Sequence, residues 1–420
     1  MTLRFGFGNG FQEVDLPEAN LLQELHAATP PGGLGGVNGA RQALAQPIGT
    51  PPLRQIARPG EKVAIISSDI TRPMPTAQVM PLILDELYAA GVRKEDITLV
   101  LGLGIHRPHS EAERRHLAGE RAWQEIAVVD SDPRRVMRLG ITQRGTPVDI
   151  DTRVAEADRR VCLGNIEYHY FAGYSGGGKA IMPGVSTSAA IENNHRMMVH
   201  EQAHAGNLVG NPIREDIEEA AALVGIDFIL NVVLDEDKQI VHAVAGDAVQ
   251  AHRAGCAFLD RMYAVEVPQL ADIVLVSQGG APKDLNLYQT QKALDNARHA
   301  VREGGIIILI GSCREGYGEA AFERWARESD IPMQLINRVH EGFELGGHKA
   351  AAIAMVLEKA QVFLVSEMTD DQAREIFLQP YPSAQAALDA AFGQLGPHAR
   401  VIAMPHGGST LPRPTGEARG

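Results

Sequence analysis

Apolar residues recur along the chain in short, β-branched runs, separated by amphipathic stretches of helical period, over most of its length. The runs at 63–68, 97–102, 126–130 and 160–164 are largely apolar and close on Gly, Asp or Ser, which predicts buried strands. Residues 76–90 and 110–117 carry helical spacing, and Ser110 and Glu113 open the second stretch as a capping box. Segments 228–234 and 239–244 flank the polar turn Asp235-Glu236-Asp237-Lys238, the pattern of a hairpin. A helical stretch ends near Tyr263, and residues 265–270 read as a linker. A second alternating series follows, with strands at 273–277, 306–310, 362–366 and 401–404 and helices at 288–303 and 349–359. Strand-helix alternation of this kind predicts the α/β class, as two α/β domains with mostly parallel sheets and right-handed crossovers. The expected division is 1–265, 271–400 and a C-terminal tail at 401–420. Ligands bind such sheets in the polar loops after the strands, so the active site is expected in the interdomain cleft.

A length of 420 residues is ample for two cores. The net charge of −13 is spread without acidic or basic blocks, which argues against a nucleic-acid or anionic-membrane partner. An anionic substrate must therefore be attracted by a few placed cations. Cys162, Cys256 and Cys313 lie far apart with no CxxC spacing, so neither a disulfide framework nor a cysteine zinc site is expected. No run of about 18 apolar residues is present, and the first residues lack the pattern of a signal peptide, so the expected address is the cytoplasm.

Five post-strand loops concentrate reactive side chains. Asp69, Thr71 and Arg72 follow the first strand, where an acid and a cation three apart can orient a base and hold an anion. In the next loop His106 follows two glycines at a strand end, a good place for acid/base work, with His109 three residues on. The third runs from His169 through Gly173, Ser175, Gly176, Gly177 and Gly178 to Lys179. It satisfies the GxxxxGK skeleton of a phosphate loop, but Ala180 stands where a magnesium-binding Ser or Thr belongs. The fourth contains His195 and then His200-Glu201-x-x-His204, a formal HExxH that would put two zinc ligands on one helical face. Asn207 and Gly210 occupy the positions where its extended form needs Gly and His. In the fifth, Tyr288, Gln289 and Lys292 share the first turn of a helix, where N–H groups and the dipole favour a carboxylate.

Taken in order, Asp69-x-Thr71-Arg72-Pro73, Gly104-x-His106-Arg107-Pro108, His169 through the glycine loop to Lys179, Asn193-Asn194-His195 and Tyr288-Gln289-x-x-Lys292 form an ordered set. That set resembles the nickel-pincer lactate racemase family, as does the closing segment from Pro405 to Pro412. The resemblance runs from about residue 60 to the end of the chain. It implies a cofactor of nickel held by pyridinium-3-thioamide-5-thiocarboxylic acid mononucleotide, linked covalently to Lys179, with His195 as the protein's ligand to nickel. His106 and His169 would be the catalytic acid/base pair. Arg72, Gln289 and Lys292 would bind the substrate. Asp69, Thr71, Ser175, Gly177 and Tyr288 would contribute to cofactor binding, the glycines letting backbone approach it. The implied activity is racemisation or epimerisation of a small 2-hydroxy acid, lactate- or malate-like, by proton-coupled hydride transfer. The implied partners are that substrate and cofactor-biosynthesis proteins. A dicarboxylate would need a further cation, for which Arg107, Arg196 and Lys283 stand in suitable loops. Two other readings stay open on the residues alone: a zinc-dependent hydrolase built on His200, Glu201 and His204, and a nucleotide-binding protein using Gly173–Lys179.

Overall fold

The computed structural model describes residues 1–28 and 35–415. It divides into two compact units, Pro30–Arg261 and Met1–Thr29 with Met262–Gly420. The first 29 residues therefore leave the domain in which the sequence pattern placed them.

The unit of residues 30–261 is built on a six-stranded sheet. Its order is Ile240–Gly246, Phe228–Leu234, Arg159–Ile166, Val63–Ser68, Ile97–Gly102 and Ala127–Asp130. All neighbours are parallel except Ile240–Gly246, which returns antiparallel as the edge of the expected hairpin. Val63, Ile65, Leu99, Leu101, Val161, Leu163, Leu230 and Val232 share one apolar core with the helix Thr76–Ala89, which explains why these strands read as apolar runs. The helix Glu111–Ala118 begins with the expected capping box of Ser110 and Glu113. A second hairpin, Val136–Ile141 with Pro147–Asp151, lies outside the sheet.

The other unit holds a six-stranded, all-parallel sheet in the order Gln379–Tyr381, Ala360–Val365, Val301–Ile310, Ala271–Ser277, Val401–Met404 and Leu21–Glu24. Leu3, Phe5 and Val14 of the hairpin Thr2–Phe7/Gly10–Asp15, and Leu16 just after it, enter the same core as Ile273, Leu275, Ile308 and Val401. This burial ties the N-terminus to the C-terminal unit. Three expectations change here. Residues 401–404 are not part of a tail but a fully buried strand between two others. The expected linker contains the strand Ala264–Val267, paired parallel with Leu411–Pro414. The helix expected over 288–303 is Leu287–Ala297, because Val301 already pairs in the sheet. Among the described residues no helix is long and apolar enough to cross a membrane.

Candidate active site

In the unit of residues 30–261 the chain builds the sheet outward in both directions from the neighbours Val63–Ser68 and Arg159–Ile166. Pairing between these strands stops at Ile66 and Cys162, so their carboxyl ends part. Such a switch point is where open α/β sheets bind ligands. The loop of Asp69 and the loop of His169 and Lys179 leave from these two ends, and the His106 loop leaves from the adjoining strand.

Asp69 is buried and accepts hydrogen bonds from Thr71 Oγ1 at 2.9 Å and from His106 Nδ1 at 2.7 Å. Burial pushes the Asp69 carboxyl up, but these hydrogen bonds and the charges of His106 and Arg72 outweigh it and hold it below the usual carboxylate range. An ionised Asp69 on Nδ1 places the basic lone pair of neutral His106 on Nε2 and stabilises the imidazolium that forms when it takes a proton. His109 has a different task. Its Nδ1 donates to Asp130 at 2.7 Å and its Nε2 accepts from the Ile70 amide at 3.1 Å. Both nitrogens are used, so His109 pins the Asp69 loop. Arg107, a candidate for a second substrate carboxylate, is held bidentately by Glu113.

The glycine-rich segment is not a phosphate loop. Gly173–Tyr174 pairs antiparallel with Tyr168–His169, and Lys179 sits in a single 3-10 turn, Gly177–Ala180, rather than in the first turn of an α-helix that could supply an anion site. The ring of Phe171 is the hub of the site. His169 lies 4.4 Å from it, His195 4.9 Å and Lys179 Nζ 5.9 Å, measured to the ring centroid. Burial first, and then the Arg72 and Arg214 guanidiniums, hold the Lys179 amine well below the lysine range. Burial and the surrounding basic groups likewise hold His169 well below the histidine range. His169 Nδ1 accepts from the Ala172 amide at 3.3 Å, so its neutral form carries the proton on Nε2. The two histidines thus meet opposite surroundings, a carboxylate for His106 and cations for His169.

The glycines answer to the protein itself. A Cβ on Gly176 would stand 2.7 Å from Asn231 Oδ1, on Gly177 3.0 Å from the His252 ring, and on Gly178 2.9 Å from the Ala221 Cβ. The Gly177 amide donates to Asn231 at 2.8 Å, and Ser175 Oγ donates to Asn165 O and accepts from the Glu167 amide. These polar groups of Ser175 and Gly177, expected at a cofactor, are engaged within the loop's own scaffold. The rest of that scaffold escaped the sequence analysis. Arg214 is fully buried, donating through Nε to Ala172 O at 3.1 Å and through Nη2 to Tyr174 O. Buried His252 donates to Ser175 O at 2.8 Å. A signal existed: Arg214 and Asp216 interrupt the apolar stripe Ile213, Ile217, Ala220 and Val224 of the helix Pro212–Val224, and a charge in such a stripe needs a reason.

His195 ends the helix Ser188–His195, which Thr187 caps. The HExxH does not lie on a helix. His200 follows the 3-10 turn Arg196–Val199, and residues 200–204 form turns in which His200 Nδ1 accepts from the Gln202 amide. Among the described residues no three His, Cys, Asp or Glu side chains group as a metal site. A catalytic zinc needs three protein ligands, so the zinc-hydrolase reading loses its basis.

In the other unit a second switch point lies between Ala271–Ser277 and Val401–Met404. Asn286 caps the helix Leu287–Ala297 by accepting from the Gln289 amide. Tyr288 O accepts from buried Lys349 Nζ at 2.7 Å, and that Nζ lies 4.2 Å from the Tyr288 ring centroid. Gln289 O accepts from Gln278 Nε2 at 2.7 Å, and Lys292 is exposed on the same turn. The closing motif packs here, with the Gly407 amide donating to Ser277 O at 2.7 Å and Gly407 O accepting from Asn296.

Comparison with known proteins agrees with this arrangement. Residues 7–206 match the model of the lactate racemase N-terminal domain and residues 267–411 that of the lactate racemase C-terminal domain. The lactate racemase of Thermoanaerobacterium thermosaccharolyticum is 32% identical over 383 residues, 89% of each chain. That of Lactiplantibacillus plantarum is 32% identical over 376 residues, covering 87% of this chain and 88% of its own. The structure of the Thermoanaerobacterium lactate racemase apoprotein superposes with a TM-score of 0.87 at 31% identity, over 98% of this chain and all of its own. A Thermotoga maritima protein at 17% identity shares the fold, with a TM-score of 0.60 over 93% of this chain and all of its own. With both family domains matched in order, the chain belongs to the lactate racemase family of isomerases.

Proposed function

We propose that this chain racemises a small 2-hydroxy acid by proton-coupled hydride transfer, with nickel held by the pyridinium-3-thioamide-5-thiocarboxylic acid mononucleotide on Lys179. Lactate is the substrate named for its relatives and the first to test. The observation that carries this reading is the gathering of His169, Lys179 and His195 around Phe171, at the switch point that also bears the Asp69–His106 pair.

The residues suit the group they would hold. A covalent link through nitrogen needs a neutral amine, and burial with the Arg72 and Arg214 guanidiniums favours that form of Lys179. A metal whose other ligands come from an organic cofactor needs only one protein donor, which accords with there being no group of three His, Cys, Asp or Glu side chains placed for a metal among the described residues. Sulfur donors from the cofactor together with the His195 imidazole would suit nickel(II). When bound, the cofactor supplies an acceptor for the α-hydrogen as hydride, which avoids ionising a very weakly acidic C–H bond.

The chain's own work is then binding and proton transfer. Arg72, Gln289 and Lys292 hold the substrate carboxylate, and Tyr288 and Thr71 support the cofactor. For one enantiomer His106 Nε2 takes the hydroxyl proton, and Asp69 stabilises the resulting charge. For the other, His169 would take the hydroxyl proton from the opposite side on Nε2, which requires its ring to release the Ala172 amide and carry its own proton on Nδ1 instead. The histidine that is not the base would enter the step protonated and return a proton to the keto oxygen. A malate-like substrate would draw its second carboxylate to Arg196 or Lys283, both exposed. Cofactor-biosynthesis proteins are the partners this chemistry requires.

Removal of the metal ligand tests the reading. His195→Ala, loaded by coexpression with the biosynthesis proteins, is expected to lose most of its nickel by elemental analysis, while His200→Ala and His204→Ala keep theirs. Full nickel in His195→Ala would remove the ligand assignment.

A further inference from the structure

We infer that Asn194 and Asp216 are positioning residues that set the tautomer of His195 before any metal arrives. This deepens the nickel-ligand reading above and rests on it for its consequence, but not for its geometry. Asn194 is fully buried, and its Nδ2 donates to Ile213 O at 3.2 Å and to Asp216 Oδ2 at 2.8 Å. A backbone carbonyl and a carboxylate only accept, so the amide is fixed with Oδ1 turned the other way. There Oδ1 lies 3.0 Å from His195 Nδ1, and an amide oxygen next to a ring nitrogen requires the proton on that nitrogen. The lone pair of neutral His195 is thereby assigned to Nε2.

Asp216 holds the amide in this sense. It is fully buried and takes hydroxyl donors as well: Thr146 Oγ1 donates to Oδ2 at 2.7 Å, and Thr142 Oγ1 donates to Oδ1. Neither hydroxyl can reverse easily. Thr146 Oγ1 already accepts from Asn193 Nδ2 at 2.6 Å, and Thr142 Oγ1 from the Thr146 amide at 3.1 Å. Three donors converging on one carboxylate leave Asn194 Nδ2 no reason to exchange with Oδ1. A buried carboxylate is expensive, and helix packing alone does not call for one. Metal-binding imidazoles commonly donate their second nitrogen to such a partner, and losing it typically costs 10–100-fold in metal affinity.

The test uses the full-length chain with ¹⁵N-labelled histidine, once as apoprotein and once loaded with cofactor. Wild type is expected to show His195 protonated on Nδ1 and bare on Nε2 in ¹⁵N–¹H correlation spectra of the apoprotein. Asn194→Leu, close to isosteric, should shift His195 toward the Nε2-protonated tautomer and shed nickel roughly 10–100-fold faster into a chelator. Asp216→Asn is the second variant should the first fail to fold, and it should move the same two readouts by freeing the Asn194 amide to turn. Wild-type tautomer and wild-type nickel release in either folded variant would overturn the inference. Nickel retained by His195→Ala would instead overturn the ligand reading, and the apoprotein spectra would still decide the orientation of His195.

Discussion

Replacing either His106 or His169 by alanine is expected to lower racemisation by roughly 10²–10⁴-fold, the range for a positioned acid/base group, and to do so in both directions. Enantiomers have equal free energies in water, so kcat/KM for the two directions must fall together. The distinguishing result lies in the first half of the reaction. On the proposed roles each enantiomer would present its hydroxyl to one histidine, so the remaining histidine would serve only one of them. Rapid-quench measurement of enzyme-bound 2-keto acid, started from each pure enantiomer, should show oxidation of one and not the other in each variant. The enantiomer that still reacts should swap between His106→Ala and His169→Ala. With the Asp69 carboxylate beside His106 and basic groups around His169, the two half-reactions are expected to differ in rate as well. Equal oxidation of both enantiomers by both variants would show that these are not the acid/base pair.

Lys179→Arg is expected to abolish activity. On the sequence this change keeps the charge. In the structure it fixes a charge where one is disfavoured, because burial and the Arg72 and Arg214 guanidiniums hold the Lys179 amine well below the lysine range, whereas a guanidinium stays protonated in any protein setting. It also removes the nitrogen that can form the thioamide. Lys179→Met separates the two effects, since it carries no charge and still lacks the nitrogen. Both variants should be inactive, with the arginine variant the less stable in thermal melts. Activity within tenfold of wild type in either would end the tether assignment.

Much of this was legible in the sequence, for identifiable reasons. Parallel strands buried on both faces read as continuous apolar runs, so Val63–Ser68, Ile97–Gly102 and Val401–Met404 fall where the pattern put them. The reactive loops were legible because they follow strand ends, where Asp69, His106 and Lys179 have no core to fill. What the pattern missed depends on contacts distant in the chain. Leu3 and Phe5 alternate as a strand should, yet only the shared core with Ile273 and Val401 shows which unit they join. The glycines at 176–178 were ascribed to a ligand's approach, when Asn231, His252 and Ala221 are what press against them. Helical spacing within the HExxH suggested a shared face, but no helix forms there to present one.

Peptide-resolved mass analysis of active enzyme tests the central claim most directly. Protein purified from cells that make the cofactor, and shown to racemise lactate, is expected to carry a mononucleotide-sized adduct on the peptide containing Lys179 and on no other lysine. Full racemase activity in a sample whose Lys179 peptide is entirely unmodified would contradict the account.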